Sequence, residues 1–257
     1  MSVALVTGAA KRLGRAMALE LAGQGYDLAV HYHGSKSEAE ETAAACREKG
    51  VRAEIFNADL LDLDQTEMLM ARVVDQLGQV SVLVNNASIF EHDDIASATR
   101  ESWDRHIGSN LRAPFVLSQA FALQAPRADR SGPEPVAAGL IVNMCDQRVL
   151  KPTPEFMTYS LAKAALWHLT RTMAQALAPD IRVNAIGPGP TVKGVRQSEA
   201  HFAAQREATI LERGADAADI CDALRYLLGA RAVTGQLICV DGGQHLAWRT
   251  PDILGLE

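Results

Sequence analysis

The stretch VALVTGAAKRLG, Val3–Gly14, decides the fold. Four apolar residues run without polar interruption, as in a strand buried on both faces. A glycine-containing loop follows, and then helical periodicity from about residue 13. In such a strand–loop–helix unit, glycines let the backbone approach a pyrophosphate closely, while the helix N-terminus offers unpaired N–H groups and positive dipole. Gly8 and Gly14 also suit a plain turn, so the unit needs support from the rest of the chain.

That support is architectural first. Short β-branched runs recur at VALVTG, YDLAVHYH, VRAEIFNA, VSVLVNNA, GLIVNM, IRVNAIG and QLICVDGG. Helical periodicity fills the intervals at about 13–24, 37–49, 64–77, 99–124, 155–178 and 216–228. Strands alternating with helices predict an α/β fold, a doubly wound seven-stranded parallel sheet with helices on both faces. We expect a single Rossmann domain over residues 1–257 and a substrate-covering loop at about 191–212.

Composition narrows the function classes. The 257 residues carry a formal net charge of −6 with both signs interspersed, which argues against nucleic acid or an anionic membrane as the main partner. The opening MSVALVTGAA reads as a first strand, without the basic leader and apolar run of a signal peptide, so a cytoplasmic protein is expected. Cys46, Cys145, Cys221 and Cys239 show no Cys-x-x-Cys spacing and suggest neither a zinc site nor a disulfide framework.

Cofactor preference is read at the end of the second strand. An NAD-binding fold usually places an acid there, about twenty residues after the glycines, on the ribose 2′-hydroxyl. Here the strand ends VHYHGS. Lys11 and Arg12, with His31, His33 and Ser35 nearby, form a partly cationic surround for a 2′-phosphate, so NADPH is expected. His31-x-His33 also has the spacing of two metal ligands on one strand face, but no third ligand clusters with it.

Tyr159 and Lys163, four apart on one helix face, form a second motif. A nearby ammonium favours tyrosinate and moves the phenol toward a pKa useful for proton transfer. Thr153 and Pro154 read as the N-cap and first residue of that helix, and Pro179 as its stop. Taken alone, the pair also fits a solvated surface contact.

TGAAKRLG at Thr7–Gly14, NNAS at Asn85–Ser88, Asn110, Tyr159-x-x-x-Lys163, GPGP at Gly187–Pro190 and VDGG at Val240–Gly243 occur together in this order. In that order and spacing the chain resembles the short-chain dehydrogenases/reductases over nearly its whole length. The resemblance implies a Rossmann fold, NADPH/NADP and a homotetramer. The catalytic set it implies is Asn110, Tyr159 and Lys163 with a serine thirteen residues before the tyrosine, where this chain has Asp146.

An ionised aspartate cannot donate a hydrogen bond to a developing alkoxide as serine does. A carboxyl suits nitrogen instead, accepting from ring N–H groups or protonating an imine. Asp146 also fits a simple cap of the turn after its strand. Arg12 in the glycine loop, and NNASIF where the wider family has NNAG, deepen the resemblance to the pteridine reductase branch. That likeness implies reduction of a dihydropterin, with Arg12, Ser88, Phe90, Asp146 and Tyr159 facing the substrate. Phe90, which as an isolated residue also reads as core filler, would stack on the flat ring.

The cofactor contacts implied are Gly8, Lys11, Arg12, Leu13, Gly14, His31, Tyr32, Ser35, Asp59, Leu60, Asn86, Ala87, Ser88, Tyr159, Lys163, Pro188, Gly189 and Thr191. Asp59 would hold the adenine amino group and Thr191 the nicotinamide carboxamide. Asn110 would help hold a water chain reaching Lys163; it reads equally as a hydrogen-bonded helix interruption. Eukaryotic members carry an arginine where this chain has Gly34.

Overall fold

A computed structural model describes residues 2–194 and 197–248. All seven expected strands form: β1 (Val3–Val6), β2 (Asp27–Tyr32), β3 (Ala53–Asn57), β4 (Val80–Asn85), β5 (Gly139–Met144), β6 (Ile181–Pro188) and β7 (Leu237–Val240). They pair in parallel in the order β3-β2-β1-β4-β5-β6-β7. The chain therefore winds outward from β1 in one direction and from β4 in the other. A crevice opens at the C-terminal ends of these two strands, where ligands bind in open α/β sheets.

Successive strand residues face opposite sides, so one strand feeds two cores. Ala4 and Val6 pack with Met17, Leu21, Leu224 and Leu227 of α1 (Arg12–Gly23) and α8 (Ala217–Gly229). Val3 and Leu5 face Leu69, Val73, Leu117 and Phe121 of α3 (Leu63–Leu77) and α5 (Ala113–Gln124). Both sets are almost wholly buried, which explains the unbroken apolar run of β1. α2 (Lys36–Arg47) completes the first layer, and α6 (Met157–Ala176) the second.

Three helix boundaries depart from the expectations. The periodic stretch 99–124 divides into α4 (Arg100–Ile107), one π-helical turn at Gly108–Arg112 that contains Asn110, and α5. α6 starts at Met157, after Phe156 in the left-handed region (φ 54), and not at Thr153–Pro154. Thr153 is engaged elsewhere, accepting from Arg148 Nη1 at 2.8 Å. The covering segment is partly helical: α7 spans Glu199–Glu207, with the Ser198 hydroxyl accepting from the His201 N–H. Ser198 followed by an acidic first turn is a start signal that the reading of this segment as a loop passed over.

Candidate active site

The glycine loop forms because two positions admit no side chain. Gly8 sits at φ +62, and a Cβ on Gly14 would lie 2.1 Å from the Gly8 carbonyl oxygen and 2.6 Å from Asn86 Nδ2. Thr7 and Asn86 lock the loop to the end of β4. The Thr7 hydroxyl accepts from the N–H groups of Asn86 and Ala87 at 2.9 and 3.0 Å, and Asn86 Nδ2 donates to Thr7 O at 2.8 Å. The result is a rigid backbone cradle at the start of α1. It fits a dinucleotide pyrophosphate, since the side-chain-free loop and the first N–H groups of α1 line one end of the cleft.

The cradle opens into a cleft of about 1010 Å³. Of the residues expected to bind, Gly8, Lys11, Arg12, Leu13, Gly14, Asn86, Ala87, Ser88, Phe90, Asp146, Tyr159, Lys163, Pro188, Gly189 and Thr191 line it. Thr191 is buried, its hydroxyl donating to Gly189 O at 3.0 Å.

The adenosine end, at the C-terminal ends of β2 and β3, corrects part of the expectation. His31 is 2% exposed, with Nδ1 accepting from the Gly8 N–H at 3.0 Å and Nε2 against Ala58 O at 3.1 Å. Burial pushes its pKa down to about 4, so it is a neutral brace for the glycine loop and not a cation for a phosphate. The Tyr32 and Leu60 side chains pack in the two cores, and neither residue lines the cleft. Asp59 Oδ1 accepts from the Leu61 N–H at 2.9 Å, with His33 Nδ1 at 3.6 Å. Lys11 reaches Glu38 at 2.5 Å, while Ser35 starts α2 without a side-chain cap bond.

Arg12 has positive φ (53) and its guanidinium spans the cleft mouth. Nη1 donates to Lys193 O at 3.1 Å and Nη2 to Val192 O at 3.0 Å. It ties the phosphate cradle to the covering segment, a role that its position in the sequence did not reveal.

On the opposite wall a buried ladder sets α6 against the sheet: Asn85 Nδ2 donates to Asn143 Oδ1 (2.8 Å), Asn143 Nδ2 to Thr170 Oγ1 (2.9 Å), and Thr170 Oγ1 to Leu166 O (2.8 Å). This register brings Lys163 Nζ to Met144 O at 2.7 Å and the Tyr159 hydroxyl to Asp146 Oδ2 at 2.9 Å. Asp146 Oδ1 also accepts from the Arg148 N–H at 2.8 Å, so the acid caps a turn and faces Tyr159 at once. The cap that the turn suggested is present, and the same carboxyl contacts Tyr159.

Electrostatically, burial pushes the Asp146 carboxyl up toward its protonated form, against opposing hydrogen bonds and charges. Burial and the facing Asp146 hold the Tyr159 phenol well above its usual range. Lys163, buried, is pushed down. The expected push toward tyrosinate is thus reversed: the Lys163 ammonium lies 5.7 Å from the Tyr159 ring centre and is spent on Met144 O, while Asp146 touches the hydroxyl directly. A protonated phenol next to a carboxyl biased toward its acid form is a proton-donating pair.

Asn110 is fully buried in the π turn, with Oδ1 accepting from the Ile89 N–H at 3.0 Å and Nδ2 donating to Ile89 O at 2.9 Å. Its side chain positions the segment that carries Phe90 and does not line the cleft. Phe90 stacks on Phe156 (centroids 4.3 Å apart, planes within 7°) and meets Tyr159 edge-on at 4.7 Å. Arg148 lies 5.0 Å from the centre of the Phe156 ring. Gln147, Arg148, Glu155, Phe156, His92, His201 and Gln205 also line the cleft. None of these residues was singled out in the sequence: Gln147 and Arg148 carry no signal beyond adjacency to Asp146, and the place of Phe156 depends on a left-handed backbone.

The fold agrees with the comparisons. Residues 8–245 match the protein family described as enoyl-(acyl carrier protein) reductase. The chain is 33% identical over 248 residues to the 3-oxoacyl-[acyl-carrier-protein] reductase FabG of Staphylococcus epidermidis, covering 95% of this chain and 98% of that protein. Among solved structures it is similar to FolM alternative dihydrofolate reductase 1 from Brucella suis, in complex with NADP (41% identity, TM-score 0.91, 98% of both chains). It is also similar to a blue fluorescent protein from a metagenomic library in complex with NADPH (30% identity, TM-score 0.85, 95% of this chain and 97% of that one). The chain belongs to the short-chain dehydrogenase/reductase family of oxidoreductases.

Proposed function

We propose that this protein is an NADPH-dependent reductase of pteridines, converting a dihydropterin such as dihydromonapterin or dihydrobiopterin to the tetrahydropterin, with dihydrofolate as a further candidate. The observation that carries this reading is the hydrogen bond from Tyr159 to Asp146 at the cleft floor, where the wider family has serine. The likeness to FolM at 41% identity supports it, and the NADP and NADPH in two similar structures support the cofactor.

When bound, the cofactor supplies hydride to a ring carbon of the substrate. The chain's own residues do the rest. Gly8, Gly14 and the start of α1 would hold the pyrophosphate, and Thr191, which lines the cleft, would hold the nicotinamide carboxamide. The Phe90–Phe156 wall offers an aromatic surface to a flat heterocycle, a contact of about 1 kcal/mol beyond burial. Tyr159 donates its hydroxyl proton to the imine nitrogen, and Asp146 stands behind it as a second proton source. Lys163, buried beside them, offsets the negative charge left on the pair. Asn110 acts through Ile89, holding the aromatic segment in place.

A second reading is favoured by the 33% identity to FabG: reduction of a ketone, as in a 3-oxoacyl thioester. Against it stand the 41% identity to FolM, above the 33% to FabG, and the replacement of the family's serine by Asp146. NADPH oxidation measured with dihydromonapterin, dihydrobiopterin, dihydrofolate and a panel of ketones distinguishes the two; turnover of ketones alone would overturn the proposal.

Assembly belongs to the same proposal. Trp103, Phe115, Leu123 and Leu161 on α4, α5 and α6 are exposed, and we assign them to the interfaces of a homotetramer, checked by light scattering. Among the described residues, no helix is long and apolar enough to cross a membrane.

A further inference from the structure

Behind the aromatic wall lies a buried hydrogen-bond circuit whose members do not themselves line the cleft. The segment between β4 and α4 carries Phe90, and the next residue, Glu91, donates its backbone N–H to His106 Nε2 at 3.1 Å. A ring nitrogen that accepts leaves the proton of a neutral imidazole on the other one. His106 Nδ1 therefore donates to Thr158 Oγ1, 2.6 Å away. The Thr158 hydroxyl passes the polarity on to Asp93 Oδ2, and the Thr158 N–H donates to Asp93 Oδ1 at 3.1 Å. Asp93 lies on the same segment as Phe90, so the circuit closes on itself. His106, Thr158 and Asp93 are 0%, 3% and 2% exposed.

The two ends of this circuit matter. Glu91 adjoins Phe90, and Thr158 adjoins Tyr159 at the start of α6. His106 is the piece between them, and its ring lies 6.0 Å from that of Tyr159. Burial holds His106 below its ordinary pKa, and although burial would raise Asp93, the Thr158 bonds outweigh it and hold the carboxylate low. The imidazole is thus neutral, and the Thr158 hydroxyl mediates between the two groups in place of an ion pair.

We infer that His106 is a positioning residue for the substrate: by holding the Glu91 amide and the Thr158 hydroxyl at fixed separation, it sets the spacing of the Phe90 ring from the Tyr159 hydroxyl and so tunes the slot for a planar ring. The inference rests on the pteridine reading for the identity of that ring. Neutral imidazole suits the task because it accepts at one end and donates at the other across a rigid plane. Asparagine can place a donor near the Nδ1 position, and glutamine an acceptor near the Nε2 position, so His106→Asn and His106→Gln each cut one side of the circuit.

The test combines amide hydrogen exchange with steady-state kinetics on the full chain. In His106→Asn the Glu91 amide loses its acceptor, so its exchange speeds up at least about ten-fold. The dihydropterin KM rises about ten-fold while kcat stays within about three-fold, and NADPH affinity is unchanged. His106→Gln retains Glu91 protection and shows the smaller KM change. Thr158→Ser behaves as wild type, whereas Thr158→Val raises KM, which keeps the test available if a His106 variant folds poorly. Faster Glu91 exchange with unaltered KM overturns the inference, as does an equal loss of NADPH affinity and turnover in both His106 variants. If the wild type reduces no dihydropterin, the pteridine reading falls by itself; the exchange result stands, and the KM comparison is made on the substrate it does reduce.

Discussion

The Tyr159 hydroxyl donates to Asp146 Oδ2 at 2.9 Å while Asp146 Oδ1 accepts the backbone N–H of Arg148, two residues along the same turn. The acid is thereby fixed in orientation and directed at the Tyr159 hydroxyl. Because burial raises its pKa, Asp146 holds its proton to higher pH than an exposed aspartate. Activity that uses that proton is present below the raised pKa and falls as pH increases through it. The pH profile of kcat/KM for a dihydropterin should show this descending limb, and Asp146→Asn, which cannot ionise, should lose it. An identical limb in both proteins would remove Asp146 from the proton path.

Gly14→Ala tests the cradle. Its Cβ meets backbone at 2.1 Å, so the loop must shift at a cost of about 1–3 kcal/mol, read as a lower Tm. The thermal stabilisation that NADPH gives the wild type should be lost as well. Stabilisation equal to that of the wild type would mean the pyrophosphate lies elsewhere.

Gly34 faces open space: apart from its chain neighbours, no atom lies within 4 Å of the position a Cβ would take. An arginine at this position meets no steric barrier and stands beside Ser35 at the adenosine end. Gly34→Arg should improve NADPH over NADH by about three- to ten-fold in kcat/KM, the worth of one exposed charge-assisted contact of about 1 kcal/mol. An unchanged ratio would place the 2′-phosphate away from this corner.

Arg12→Ala removes both bonds to the 192–193 backbone. We expect faster amide exchange around residues 191–194 and a rise of about ten-fold in substrate KM, for a loss of about 1–2 kcal/mol. Exchange at the wild-type rate would show that the covering segment holds itself closed.

The sheet was legible in the sequence because buried parallel strands leave unbroken β-branched runs, and all seven are found where Val3–Val6 and its successors predict them. Gly8 and Gly14 were legible because steric exclusion leaves only one residue type. What failed was direction and partnership. His31 looked like a phosphate contact by position, yet the alternation of β2 turns it inward, where the Gly8 amide and the Ala58 carbonyl take both ring nitrogens. The ionisation of Tyr159 followed in expectation from Lys163, its helix neighbour, but is governed by burial and by Asp146 from another element. Phe156 was invisible because its left-handed φ depends on how the segment before α6 is held, a tertiary outcome without a local signature.

We propose that Asp146 makes this cleft a site for a nitrogen heterocycle. It is tested most directly by NADPH oxidation with Asp146→Ser, measured on a dihydropterin and on a ketone panel. We expect a loss of at least about thirty-fold in dihydropterin kcat/KM, about 2 kcal/mol of transition-state stabilisation, with ketone turnover kept or increased. Dihydropterin turnover at the wild-type rate in Asp146→Ser would contradict it.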